Sequence, residues 1–300
     1  MATRTPTVSP ARAAVRERRW RMPWLNAGIG LVALLGVMVM MYPHVASWVA
    51  QYYQSLIIED IDAVVDAGPP SRLAKEIERA HAYNDALTGG AIVSPDSNIP
   101  QGEGTLDAEY DYLSLLNAGS GVMGRLRISS IDVDLPLYHG TSDDVLERGV
   151  GHLQGTSLPV GGASQHAVLT AHRGLPSATL FNDLNKVQLG ETFTVEVFGE
   201  VLTYQVIETQ TVLPDETQSL RPVYGEDLIT LVTCTPLGIN THRYLVTGTR
   251  VTPTPVEDVA RAGQRPEIPG FPWWALGLGA AVVGYVGFVS WTGRVRPPAA

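Results

Sequence analysis

Thiol chemistry is nearly absent from this chain: 300 residues contain one cysteine, Cys234. A single thiol cannot close an internal disulfide, so an exported domain built from this chain must be held by its core alone. Basic residues are also few: 21 Lys and Arg stand against 30 Asp and Glu, for a formal net charge of −9. That balance leaves no basic patch for a phosphate backbone and argues against nucleic acid as a partner. The seven histidines fall at no recognised metal-ligand spacing, so no metal site is expected. Apolar residues, in contrast, make up 45% of the chain, whose length suits one large domain or two modest ones.

Two long apolar runs lie near the ends. Residues 1–22 are polar and basic, with Arg12, Arg16, Arg18, Arg19 and Arg21 crowding the second half. Residues 23–45 carry no charge, and 25–41 are almost continuously apolar, close to the minimum length that spans a bilayer. A cleavable signal peptide is the competing reading. No clear Ala-x-Ala site follows, however, and the apolar character continues through Trp48 and Tyr53, which favours an uncleaved anchor. Residues 271–291 form a second uncharged run of spanning length, with Trp273 and Trp274 at one end and Trp291 at the other. Arg294 and Arg296 follow in the tail, residues 292–300. Both basic flanks then lie on the cytoplasmic side, and the sequence between the spans faces outward from the cell membrane.

Residues 46–121 read as a helical stalk and a loop. Pro69 and Pro70 divide two helical segments, and Leu73, Ile77, Ala80 and Leu87 recur at near-helical spacing in the second. Residues 89–121 are rich in Gly, Pro, Ser, Asn and Asp until Tyr110, Tyr112, Leu113, Leu115 and Leu116, which suggest a short packed helix. The pattern then changes to β. Strands are expected at 125–129, 131–138, 166–171, 192–198, 201–212, 228–234 and 244–251, with a tight hairpin at Gly199-Glu200. Many short strands with little helix point to a mainly β domain over 122–252, a closed or nearly closed antiparallel-rich barrel. Residues 253–270 are proline-rich and read as a tether to the second span.

Cys234 ends one expected strand, and Arg243 opens the next after a Pro-Gly-Asn turn cluster. A lone cysteine is more commonly a small buried hydrophobe. Here the thiol sits where a strand meets a loop, and a nearby cation favours the attacking thiolate. Arg243 could donate to a developing oxyanion. A nucleophilic thiol also needs a group to move protons, and His172 stands at a strand end before a Gly-Pro turn region. His242 would point to the face opposite Arg243 in an extended segment. His139, His152 and His166 lack such a context and suit solvated or structural roles.

The run TLVTCTPLGINTHR resembles the sortase signature, in which Thr-Leu-x-Thr-Cys precedes an arginine about nine residues on. LPLYHGTSDDVLERGVGHLQGTSLPVGG and AVLTAHRGLPSATLFNDL are similar to sortase sequence too, specifically class C, the pilin-polymerising type. The resemblance spans roughly residues 123–251, and the two-span layout matches class C enzymes. It implies a sortase-type closed β-barrel with short helices, a helical N-terminal segment and two flanking transmembrane helices. It further implies a catalytic triad of Cys234, His172 and Arg243, each on a matching motif. The implied reaction cleaves an LPXTG-like sorting signal between Thr and Gly through a thioacyl-enzyme, without metal or organic cofactor. The acyl group would pass to a pilin lysine amine or, alternatively, to cell-wall precursor; a non-enzymatic membrane-tethered barrel that binds envelope proteins is the reading from another class. Class C enzymes usually carry a lid with an Asp-Pro-aromatic motif. This chain offers only Ser94-Pro95-Asp96, in reverse order and without an aromatic neighbour, so an open or loosely covered cleft is expected.

Overall fold

A computed structural model describes residues 20–87, 111–266 and 269–294. The Ser94-Pro95-Asp96 segment lies outside the described residues. Five α-helices, α1 (Trp24–Asp66), α2 (Pro70–Ala86), α3 (Asp143–Leu146), α4 (Val256–Arg261) and α5 (Trp273–Thr292), accompany eight strands among the described residues. The chain divides into two compact units, Pro43–Phe271 and the segments up to Tyr42 and from Pro272.

In the smaller unit, the first part of α1 and the whole of α5 present apolar side chains outward; Leu25 is 76% exposed and Val283 is 72% exposed. Both helices are long and apolar enough to cross a membrane. They meet at Gly30, where a Cβ would lie 2.9 Å from the Tyr285 ring, and the Tyr285 hydroxyl donates to the Ala27 carbonyl at 3.4 Å.

The sequence suggests an anchor followed by a separate stalk helix. Instead α1 continues without a break through Pro43 to Asp66. The segment expected to be a stalk is packed against the barrel. Ile58 and Ile61 are buried, and Ile61 joins Val122, Tyr138, Val145 and Leu146 in one apolar cluster. Proline at the first turn of α2 costs no hydrogen bond, because that N–H has no helical partner. Ala80 and Tyr83 of α2 enter the main core. Asn84 bonds Leu158 twice, its amide donating to the carbonyl at 3.0 Å and its oxygen accepting the N–H at 2.7 Å. Burying such a polar side chain is affordable because both ends are satisfied.

The strands are β1 (Val122–Ile128), β2 (Val133–His139), β3 (Val150–His152), β4 (Gln165–Thr170), β5 (Thr192–Val197), β6 (Glu200–Val212), β7 (Asp227–Thr235) and β8 (His242–Arg250). They close into a barrel in the order β1-β2-β3-β4-β7-β8-β6-β5. Two pairs, β2–β3 and β4–β7, are parallel; the other pairs are antiparallel. β3 was not legible in the sequence. It is three residues long, and its central Gly151 has no room for a Cβ, which would strike the Gly140 carbonyl oxygen. The β5–β6 turn is Phe198-Gly199, one residue earlier than the sequence suggests. Val197 pairs with Glu200, and both turn residues have positive φ, as a two-residue hairpin turn with the strands' own twist requires.

Inside the barrel, Leu126, Leu137, Val150, Leu169, Phe193, Ile229, Leu231 and Val246 form one continuous core. β7 is buried on both faces, from Leu228 to Thr233. Its inward residues join that core, whereas Val232 packs outside with Leu153, Val168 and Leu245, under Val212 and Leu220. This second apolar layer is the floor of the site described next.

His139, His152 and His166 are structural. All three are buried, and burial holds each below the usual imidazole pKa. The His152 ring donates Nε2–H to the Ser157 carbonyl at 2.9 Å, and Nδ1 takes the Tyr112 hydroxyl hydrogen at 2.8 Å. His139 sets its ring nitrogens against the carbonyls of Leu115 and Gly121. His139 and His152 together dock residues 112–121 onto the barrel, whereas His166 bonds the Arg221 carbonyl and the Thr230 hydroxyl.

Candidate active site

Strand alternation puts residues two apart on one face. On β7, Val232 and Cys234 share the outer face. β7 and β8 pair in antiparallel register, so Cys234 stands opposite Arg243 and Val232 opposite Leu245. β4 runs parallel to β7 with Thr170 beside Val232. Carried on by two residues, that register places His172 beside Cys234. The bond from the Ala171 N–H to the Val232 carbonyl, 3.2 Å, continues the ladder past the end of β4. The thiol, the imidazole and the guanidinium thus sit at the ends of three neighbouring strands.

They line one open groove. Its floor is Leu153, Val168, Val232 and Leu245; Leu146 and the β6–β7 connection, with Leu213, Pro214, Leu220 and the polar Glu216 and Thr217, also line it. Cys234, His172 and Arg243 are all half-buried. An apolar floor with a few polar groups converging at one end is the composition of a ligand site in which the polar groups set the orientation. One terminal nitrogen of Arg243 donates to the carbonyls of Asn240 at 3.1 Å and His242 at 3.2 Å, which fixes its direction. His242, next to it in the strand, belongs to the opposite parity, as extended geometry requires.

A family model for the sortase domain matches residues 126–251. The chain resembles sortase C-1 from Actinomyces oris at 47% identity, with 61% of this chain and 99% of that one covered and a TM-score of 0.56. The chain belongs to the sortase family. Sortase C1 from Streptococcus agalactiae is similar at 44% identity, covering 66% of this chain and 99% of that one, with a TM-score of 0.60. Among curated proteins, sortase D of Bacillus subtilis is 30% identical over 132 residues, which is 43% of this chain and 64% of that protein. Sortase A of Streptococcus agalactiae is 27% identical over 117 residues, 38% of this chain and 47% of that protein. The chain thus spans less than two thirds of these curated relatives.

Several residues that shape this sortase's site escaped the sequence reading. Thr233, which is 1% exposed, donates its hydroxyl to the Ala171 carbonyl at 2.8 Å. The Thr170 hydroxyl donates to the Val232 carbonyl at 3.1 Å. Arg173 bonds Thr235, Asn182 and Asn185. Gly174 has φ +81°, and a Cβ there would lie 2.7 Å from the Leu237 side chain. The only sequence signal for any of them was adjacency to Cys234 or His172, which does not say what a side chain touches.

Proposed function

We propose that this sortase is a membrane-anchored cysteine transpeptidase that joins pilin subunits. It recognises an LPXTG-like sorting signal, with the apolar residues of the peptide on the groove floor and the Thr carbonyl at Cys234. The thiolate attacks that carbonyl carbon. The Thr–Gly bond breaks, the glycine nitrogen leaves with a proton from His172, and the enzyme holds the Thr carbonyl as a thioester. Arg243 donates to the oxyanion that forms on the carbonyl oxygen. A lysine amine then attacks the thioester, loses a proton to His172 and forms an isopeptide bond, which regenerates the thiolate.

One observation carries the reading: three adjacent strand ends bring a thiol, an imidazole and a guanidinium to one end of an apolar groove. The likeness to solved sortase C structures, among them a Streptococcus pneumoniae enzyme described with reference to pilin substrate specificity, supports pilin as the acceptor. Two apolar helices support a membrane anchor at each end. Arginines on the outer-chain side of both runs support an orientation with the catalytic unit outside the cytoplasm.

The test is a reaction of the purified enzyme with a pilin subunit carrying its sorting signal, followed by mass spectrometry of the products. An isopeptide between the signal's threonine and a pilin lysine is expected. Cys234→Ala should abolish it, and His172→Ala should lower it by orders of magnitude. Arg243→Ala should lower it about 10²–10³-fold. Transfer only to a cell-wall precursor amine would replace pilin polymerisation by wall anchoring. Transfer that survives Cys234→Ala would remove the thiol mechanism.

A further inference from the structure

The segment after β4 and the end of β7 are joined by two side-chain bonds placed symmetrically about the reactive pair. The residue before the cysteine, Thr233, bonds the residue before the histidine, Ala171, at 2.8 Å. The residue after the histidine, Arg173, bonds the residue after the cysteine, Thr235, with its Nη1–H on the threonine Oγ1 at 3.3 Å. Each strand end is therefore pinned on both sides of its reactive residue.

Arg173 extends the second bond outward. Its Nε–H donates to the Asn182 carbonyl at 3.0 Å, and its Nη2–H donates to the Asn185 side-chain oxygen at 2.8 Å. Asn182 also accepts the Gly174 N–H at 2.5 Å through its side chain, and the His172 carbonyl accepts the Phe181 N–H at 3.1 Å. The connection that leaves His172 is thus folded back on itself and held to β7 by one planar cation. Three acceptors, two on the turn at 182–185 and one at the end of β7, meet three nitrogens of one rigid fork. Lysine, a single point donor on a flexible stem, cannot span them together. Arg173 does not line the groove, so its guanidinium is spent on the protein rather than on a bound peptide.

We infer that Arg173, acting through Thr235, is a positioning residue that sets the separation of the His172 ring from the Cys234 sulfur. The inference rests on the thiol–imidazole reading of the site given above. Proton transfer and thiolate stabilisation both depend on that separation, and a misplacement of about 1 Å can cost about a hundredfold in rate. Substrate binding depends on the groove instead, which Arg173 does not touch.

The test uses the full chain in detergent with two readouts. One is cleavage of a fluorogenic Leu-Pro-Glu-Thr-Gly peptide. The other is alkylation of Cys234 by iodoacetamide across pH, which is clean because no second thiol exists. Arg173→Ala should lower kcat about 10–100-fold with KM changed by less than about threefold. Its alkylation profile across pH should differ from wild type, because a displaced imidazole no longer meets the thiol in the same way. Arg173→Lys should restore only part of the loss. Thr235→Val should act in the same direction to a smaller extent, and the Arg173→Ala, Thr235→Val double variant should be no worse than Arg173→Ala by more than about twofold, since the bond lost in Thr235→Val is already lost in Arg173→Ala. Rates are compared well below each variant's melting temperature. A lower melting temperature with kcat and alkylation profile unchanged would make Arg173 merely structural and overturn the inference. A loss confined to KM would overturn it in favour of a substrate contact. Cys234→Ala separates the two levels: if it abolishes cleavage while Arg173→Ala behaves as wild type, the positioning role alone falls. If Cys234→Ala still cleaves, the thiol reading falls with it.

Discussion

Acid should loosen the segment docked ahead of the barrel, and His152 sets a calculable share of the effect. The ring is fully buried, and its neutral form is already satisfied, with one nitrogen donating to Ser157 and the other accepting from Tyr112. A proton on Nδ1 would force the Tyr112 hydroxyl hydrogen to turn away, toward the His152 carbonyl at 3.3 Å. Burial lowers the pKa from 6.5 to about 4. The folded value lies below the unfolded one, so the unfolded chain takes up the proton first as pH falls. Stability is therefore intact above pH 6.5 and is lost progressively down to about pH 4. At about 1.36 kcal/mol per pH unit, this window corresponds to about 3 kcal/mol from one ring. For a folded unit of this size that is roughly 6–12 °C in melting temperature. His139 and His166 are lowered by burial too, so they add in the same direction. Thermal melts from pH 7.5 to pH 4 should be run on wild type and on His152→Gln, a neutral side chain that can also donate and accept. The variant should melt lower at neutral pH but with a flatter pH dependence, the two curves converging toward pH 4. Curves that stay parallel over the whole range would refute the assignment of the acid sensitivity to His152.

Asp134→Asn removes one carboxylate from Arg125, which is 2% exposed and held by both Asp134 oxygens at 2.5 Å, with Asp62 at 3.7 Å; a loss of about 3 kcal/mol is expected by chemical denaturation. Gly248→Ala should cost about 1–3 kcal/mol in the same assay, since its Cβ would lie 2.6 Å from the Phe193 ring; wild-type stability would mean that the ring moves freely. Arg243→Lys should keep the charge yet lose most of the turnover; near-full activity would show that a planar donor fork is not required there. Reporter fusions at Gly90 and Gly263 should both report an extracytoplasmic location, and a cytoplasmic signal from either would overturn the proposed orientation.

Much of the site was legible because its residues stand close to turns in short, distinctive runs. Cys234 and Arg243 belong to one hairpin, and a hairpin's register is fixed locally by its strand lengths and turn. His172 is remote in sequence, and its motif alone pointed to it. Its place beside Cys234 follows from the parallel pairing of β4 with β7, a contact between segments more than 60 residues apart. The hydroxyl of Thr233, the fork of Arg173 and the two outer-layer leucines on the groove floor were invisible for the same reason. Their partners lie on other strands, and alternation tells which face a residue takes but not what covers that face.

The amino-acid sequence by itself determined the two apolar spans, the β character of residues 122–252, and the candidates Cys234, His172 and Arg243. Each depends on composition or on periodicity within a few residues. The tertiary structure alone decided that α1 runs on to Asp66, that α2 is part of the core, and that three-residue β3 completes the barrel. Those outcomes are set by closure and by packing between distant segments. A helix continues or a short strand forms when its far neighbour supplies the contacts, and the local sequence does not name that neighbour.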